Sequence, residues 1–191
     1  MALIDRDGAP GASIRRVAAE LNVNPASLYN HVPNRAAMIE DVRALVSARI
    51  VSAPLRELTW EDGLREWARS YRLAFAQHPL VVPILMTTPA SSSVLLAEYE
   101  DFAIAAQSVG WSSSEVLPLL TAFESFILGS VLDLAGPAVM FDPAGQEASF
   151  PNFARAYASL SEEDPQDPVA TRAFEMGLSM LVANARPRSA T

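Results

Sequence analysis

Residues 13–35 read Ser-Ile-Arg-Arg-Val-Ala-Ala-Glu-Leu-Asn-Val-Asn-Pro-Ala-Ser-Leu-Tyr-Asn-His-Val-Pro-Asn-Arg, and this stretch decides the fold. Ser13 precedes an apolar stripe of Ile14, Val17, Ala18 and Leu21, with Arg15, Arg16, Ala19 and Glu20 turned away. That spacing predicts a short amphipathic helix ending near Asn22. Asn24 then stands before Pro25, a cap residue followed by proline at the first helical position, so a second helix begins almost at once, with Leu28 and Val32 on its apolar side. Two short helices joined by a tight Asn22-Val23-Asn24 turn form a helix-turn-helix pattern.

Outward from that pair the sequence stays helical. Ala37, Met38, Val42, Leu45, Val46 and Ile50 mark a longer helix that stops before Pro54. Thr59 caps a helix carrying Trp60, Leu64, Trp67, Ala68, Tyr71 and Phe75, which ends at His78-Pro79; His78 there reads as a helix C-cap. Another helix covers Ser91 to Val109 and closes at Gly110. Ser112 to Ser114 cap a helix from about Glu115 to Ala135 that is apolar over most of its circumference, the mark of burial from several sides. Gly136 to Pro151 reads as a loop, and the acidic run Glu162-Glu163-Asp164 lies in a second connection before a final helix from Val169 to about Asn184. Period-two alternation never lasts more than a few residues, so the fold class is all-α.

Composition bounds the functions open to this chain. Its 191 residues are half apolar, enough for one core without disulfides or a structural metal. The absence of cysteine excludes thiol catalysis and thiolate metal sites. No nucleophile motif, glycine-rich phosphate loop, paired carboxylates beside a histidine or metal-ligand cluster is present, which argues against an enzyme and against a cofactor. The start, Met1 to Gly8, has two acids and no apolar segment of secretory length, so a cytoplasmic location is expected. The charge-free stretch from Leu73 to Ala97 is interrupted by Pro79, Pro83 and Pro89 and predicts a buried helix and a prolyl corner, with no membrane partner. All basic residues are arginine and the net charge is −8, a poor match to nucleic acid as an average. The average conceals a split: seven arginines against five acids give residues 1–56 a charge of +2, leaving −10 for residues 57–191.

Residues 14–35 resemble the DNA-binding signature of the TetR family, through Arg15-Arg16-x-Ala18-x-x-Leu21, Leu28-Tyr29-x-His31 and the basic Arg35 after the turn. Thr59 to Arg65, Tyr71-Arg72, His78 and Phe126 to Leu132 look like the effector domain of the tetracycline repressor branch, in the same order and nearly the same spacing. The resemblance implies a helix-turn-helix domain with its connecting helix over 1–52 and a ligand-binding and dimerisation domain over 53–191. It implies that Arg15, Pro25, Ala26, Ser27 and Asn30 face base edges, with Arg15 the bidentate partner of a guanine. Tyr29 and His31 resemble the phosphate-contacting pair, and Ser13 and Arg35 would add backbone contacts that set register. The residues by themselves leave Arg15 open as a solvated charge and Tyr29 open as packing between helices.

One such head is too small for tight specific binding, so a palindromic double-stranded operator and a homodimer are expected. The expected interface is the Glu115–Ala135 helix with the last helix, where Gly129, Ser130, Ala173 and Gly177 let backbones approach. Helical phase and resemblance together set Trp67, Tyr71, Leu85, Met86, Thr88, Phe102, Leu117, Leu120, Thr121 and Glu124 around an effector cavity, although ordinary core packing accounts for any single aromatic. Glu124 on an otherwise apolar face needs a partner, which a ligand or Arg49 would supply. The function implied is a ligand-responsive repressor released from its operator by a small, largely apolar molecule.

Two departures from the family pattern stand out. Where the tetracycline repressor holds a magnesium-bound drug with a histidine, the matching Pro83-Ile84-Leu85-Met86 has none, so neither magnesium–tetracycline nor any other metal is expected here. The family's first helix is longer than the Met1–Asp7 available, implying a start downstream of the natural one or a weakened head. In the second case the chain would be a dimeric small-molecule-binding protein with impaired DNA binding.

Overall fold

The computed structural model describes residues 1–136, 143–160 and 169–186, and among them every regular element is a helix. The Glu162-Glu163-Asp164 run and residues 137–142 of the expected loop lie outside the described residues.

Helix α1 (Ala2–Asp7) leads through a short turn over Ala9–Gly11 into α2 (Ile14–Glu20) and α3 (Pro25–Tyr29). Gly11 is required there because a Cβ would overlap the Leu3 carbonyl of α1. Asn22 holds the tight turn at φ 53, a left-handed conformation that asparagine tolerates better than most residues. The Asn24 side chain accepts from the Ala26 N–H at 2.9 Å, the cap that the sequence predicts for α3. Asn34 repeats the device for α4 (Arg35–Ser47), accepting from Ala37 N–H at 2.9 Å. Ser13 occupies the N-cap position of α2 without a side-chain cap bond.

Beyond Pro54, α5 (Pro54–Glu57) packs across α6 (Trp60–Ala76) where Gly63 permits a close approach: a Cβ there would lie 2.7 Å from the Pro54 carbonyl oxygen. Thr59 caps α6 by accepting from Asp62 N–H. The prolyl corner is a turn over Pro79–Val81 followed by α7 (Val82–Leu85). Then come α8 (Ser93–Ser108) and α9 (Ser113–Leu134), the latter started by a reciprocal capping box between Ser112 and Glu115. The final helix, which we number α11 (Val169–Asn184), packs with α6 and α8 around α9. Trp67, Phe102, Phe123, Ile127 and Leu178 are almost wholly withdrawn from solvent at the centre of this bundle. Trp60 ties the end of the last helix to α6 by donating its indole N–H to the Ala185 carbonyl.

Helix α9, long and apolar enough to cross a membrane by length and composition, is buried from several sides, as its apolar circumference predicts. It packs on α6, α8 and α11, leaving Pro118, Ala122, Ser125, Gly129 and Leu132 exposed along one stripe. A helix α10 (Pro151–Leu160) also follows the loop, begun by proline at its first position, with no buried residue.

Candidate nucleic-acid interface and effector site

Helix α3 has no buried residue, and Pro25, Ala26, Ser27, Tyr29, Asn30 and His31 all face solvent. Tyr29 is 50% exposed, more than interhelical packing would leave it. Beside it lies a cleft of about 500 Å³ lined by Ser13, Arg15, Tyr29, Asn34 and Arg35 among others. The structure thus brings four of the nine expected DNA-contacting residues to one concavity, with the exposed residues of α3 alongside. The Arg35 Nε donates to the Ala12 carbonyl at 2.9 Å, which holds its guanidinium at the cleft. Arg16 pairs with Asp7 at 3.1 Å and Arg6 with Glu20 at 3.2 Å, whereas Arg15 and Arg35 enter no ion pair among the described residues. An exposed arginine with no ion-pair partner, at the edge of an open concavity, keeps its attraction for an anion such as a phosphate.

The effector region is built from α6, α8 and α9. Trp67 meets Tyr71, Phe102 and Phe123 with ring centroids 5.6, 5.1 and 6.1 Å away. The Trp67 indole donates to Glu98 Oε1 at 2.7 Å, and the hydroxyls of Tyr71 and Tyr99 both donate to Glu124 Oε1, at 2.8 and 2.5 Å. Glu124 is therefore partnered by two phenols, and Arg49 turns away to Gln77 at 2.6 Å. Arg49 sits on the exposed side beyond the end of α4, so its charge serves the junction between the two parts of the chain instead.

Glu98 is the residue that sequence reasoning missed. It is only 5% exposed, and its carboxyl is pushed up to about 8, chiefly by burial and further by the negative charges of Glu124 and Asp101, against the opposing Trp67 hydrogen bond. Burial and the Glu124 charge likewise push the hydroxyls of Tyr71 and Tyr99 above the ordinary tyrosine range. The signal was present in the spacing: Leu95, Glu98, Phe102 and Ala106 share one helical face, so an acid there had to be buried.

Of the other expected ligand residues, Leu85 and Leu120 lie in the core, while Met86, Leu117 and Thr121 face solvent. Thr88 joins a different site. Arg43 of α4, itself buried, donates to the carbonyls of Leu85 and Thr88 at 3.2 and 2.9 Å and to Thr88 Oγ1 at 3.1 Å, and it pairs with Glu40 at 2.9 Å. Glu40 in turn accepts from the Ser91 N–H at 2.9 Å. Helix α4 is thereby clamped to the segment following α7. A second link joins the same parts: the His78 imidazole lies 3.0 Å from Asp5 of α1, so its side chain bridges to the first helix and does not cap α6.

The stripe left open on α9 continues onto α11, where Ala173, Met176 and Met180 are exposed. Two of the four small residues expected at that surface serve the chain's own packing. Gly177 makes room for the ring of Phe126, which stacks on Phe174 at 5.4 Å, and Ser130 is buried with its hydroxyl on the Ile127 carbonyl. Gly129 and Ala173 remain open to solvent.

A family model described as tetracyclin repressor-like, C-terminal domain, matches residues 53–184. An HTH-type transcriptional regulator of Saccharopolyspora erythraea is 26% identical over 188 residues, 95% of this chain and 78% of its own length. The class E tetracycline repressor protein of Escherichia coli is 29% identical over 136 residues, 70% of this chain and 64% of its own. Among solved structures, ActR of Streptomyces coelicolor in complex with actinorhodin matches with a TM-score of 0.75 at 22% identity, covering 96% of this chain and 91% of that one.

Proposed function

This chain belongs to the TetR family of transcriptional regulators, and from that premise we propose how its parts divide the work. Residues 1–52 read DNA and residues 53–191 bind effector and dimerise. The protein is a ligand-responsive, DNA-binding regulator whose partners are a double-stranded operator, a small-molecule effector and a second copy of itself. It acts as a repressor in the cytoplasm, performs no catalysis, and is released from a palindromic site by a small, largely apolar molecule.

The observation that carries the DNA-reading half is the cleft where Arg15 and Arg35 stand unpaired beside exposed Tyr29. Arg15, Pro25, Ala26, Ser27 and Asn30 meet bases there, and Ser13, Tyr29, His31 and Arg35 meet phosphates. The exposed stripe of α9 and α11 is the dimer face, since two copies pairing on it would hold two heads at a fixed separation. A ligand that binds one separation of the heads better than the other lowers operator affinity by its differential binding energy. The Arg43 clamp between α4 and the segment after α7 is the physical link through which the effector region biases the head.

Genomic selection of bound DNA with the full chain tests the reading. A palindrome is expected from the wild-type protein and its loss from Arg15→Ala. Recovery of the same random DNA pool from both proteins would refute operator reading by this surface.

A further inference from the structure

We propose that the DNA-reading head carries a small-molecule site of its own, a hollow behind the helix-turn-helix that takes an uncharged, apolar one- or two-ring molecule and strengthens operator binding when filled.

The hollow measures about 300 Å³, and its lining residues all lie between Met1 and Val42, so none belongs to the effector region. Val17 and Leu21 of α2, Leu28 and Val32 of the α3 segment, and Met38 and Val42 of α4 supply its walls together with residues of α1. These are the apolar stripes that spacing turns toward the inside of the head, yet Leu21 stays 59% exposed, and Val17, Leu28, Val32 and Met38 are only half-buried. Apolar atoms around a hollow lack the contacts of a close-packed interior, so a guest of matching shape supplies dispersion and hydrophobic energy that the chain does not.

The lining also sets the chemistry of the guest. Glu20 is the one charged or hydrogen-bonding side chain along it, and Glu20 is already paired with Arg6 at 3.2 Å. A charged or strongly polar guest would therefore give up water without gaining a partner. The volume stands at the lower end of small-molecule pockets, whereas a protein partner would need about 800 Å² of surface on this side.

The position of the hollow links it to DNA. Ala12 and Ile14 line both this space and the cleft of Arg15, Tyr29 and Arg35, so the two share a wall, and the Ala12 carbonyl in that wall holds Arg35. Helix α3 has no buried residue, the mark of a segment that opens locally. A guest that joins Leu28 and Val32 to α2 and α4 orders the recognition helix before DNA arrives, and operator binding then no longer bears that cost. It acts in the opposite sense to the releasing effector. This consequence rests on the DNA-reading role proposed above, whereas the site itself does not.

The test titrates naphthalene, up to its solubility limit, into the full chain carrying isotope-labelled methionine methyls. The Met38 resonance, identified by its absence in Met38→Leu, should shift and saturate while Met176 and Met180 stay in place. Ala2→Phe and Val17→Phe fill the hollow from different walls, so that misfolding of one leaves the other; the variant with unchanged circular dichroism should lose the Met38 shift. Operator affinity by fluorescence anisotropy should rise about fivefold or more with naphthalene in wild type, and the filled variant should reach that level without it. An unmoved Met38, movement of Met86 alone, an equal Met38 shift in the filled variant, or a Met38 resonance that moves with protein concentration before naphthalene is added, as a second copy in the hollow would cause, would overturn the site. A Met38 shift with operator affinity unchanged or lowered would overturn the coupling. A Met38 shift in a protein that recovers no DNA supports the site and defeats only operator reading.

Discussion

Replacing Glu98 with glutamine should stabilise the protein increasingly as pH rises. The carboxyl titrates near 4.5 in an unfolded chain and near 8 in the folded one. Below about 4.5 both states carry the proton and burial of the acid costs nothing through ionisation. Between the two values the unfolded chain gives up a proton that the folded chain keeps, so stability falls as pH rises, and above about 8 the loss is complete. At about 1.4 kcal/mol per pH unit, that gap amounts to about 5 kcal/mol at pH 9 and about 3 kcal/mol at pH 7. Against a typical domain stability of about 5–15 kcal/mol this is a large fraction. Glutamine keeps an oxygen for the Trp67 indole and never ionises, and an unmet amide N–H would add only an offset independent of pH. Urea unfolding of both proteins at one fixed concentration, repeated from pH 5 to 9, reads the difference directly. Other titrating groups, such as Glu40, lowered by the Ser91 N–H and Arg43 against its burial, and Glu175, lowered chiefly by Arg69, are common to both proteins and cancel. A gap between variant and wild type that is flat across this range, or that narrows with pH, refutes the burial argument.

Three further outcomes follow from the geometry. Arg15→Ala should weaken operator binding by about 1–3 kcal/mol with relaxed preference at one base pair, whereas Arg35→Ala should weaken all sequences alike and reduce the salt slope by about one, both read by fluorescence anisotropy across ionic strength. Met176→Glu places a charge on the exposed α9–α11 stripe and should shift light-scattering mass from dimer to monomer at micromolar protein, and an unchanged mass would remove that face from the interface. Gly63→Ala should lower stability although alanine is the better helix former by about 1 kcal/mol, because its Cβ would crowd the Pro54 carbonyl and force α5 off α6; a rise in melting temperature would contradict it.

What the sequence made legible was chemistry completed within a few residues. The Asn24 cap, the Thr59 cap and the Ser112 cap all rest on contacts between near neighbours, so spacing alone specifies them. Contacts between helices were legible only as facing directions. Phase turned both Tyr71 and Glu124 inward, but which donor met which acid depended on interhelical distances, and Tyr99 at 2.5 Å took the place assigned to Arg49. Gly177 was recognisable as a site of close approach, yet its caller was Phe126 of the same chain. Helix α10 carried its own signal, proline at the first position and Phe153, Tyr157 and Leu160 on one stripe, which the surrounding glycine, proline and acidic residues obscured.

The charge split illustrates how far structure sharpens a correct but coarse reading. Seven arginines give residues 1–56 a charge of +2, but they are not equally available. Arg6 and Arg16 are held by Glu20 and Asp7, Arg43 is buried against Glu40, Arg56 reaches Asp101 at 3.4 Å, and Arg49 is spent on Gln77. Arg15 and Arg35 are left at the cleft. Two unpaired cations per subunit release few counterions from a duplex, so bulk attraction through one head gives weak binding with only a shallow salt dependence. Pairing across α9 and α11 doubles that number and, because the heads are then held at one spacing, makes the second contact intramolecular. Operator affinity should therefore be lost with the dimer, even where every residue of α3 is intact.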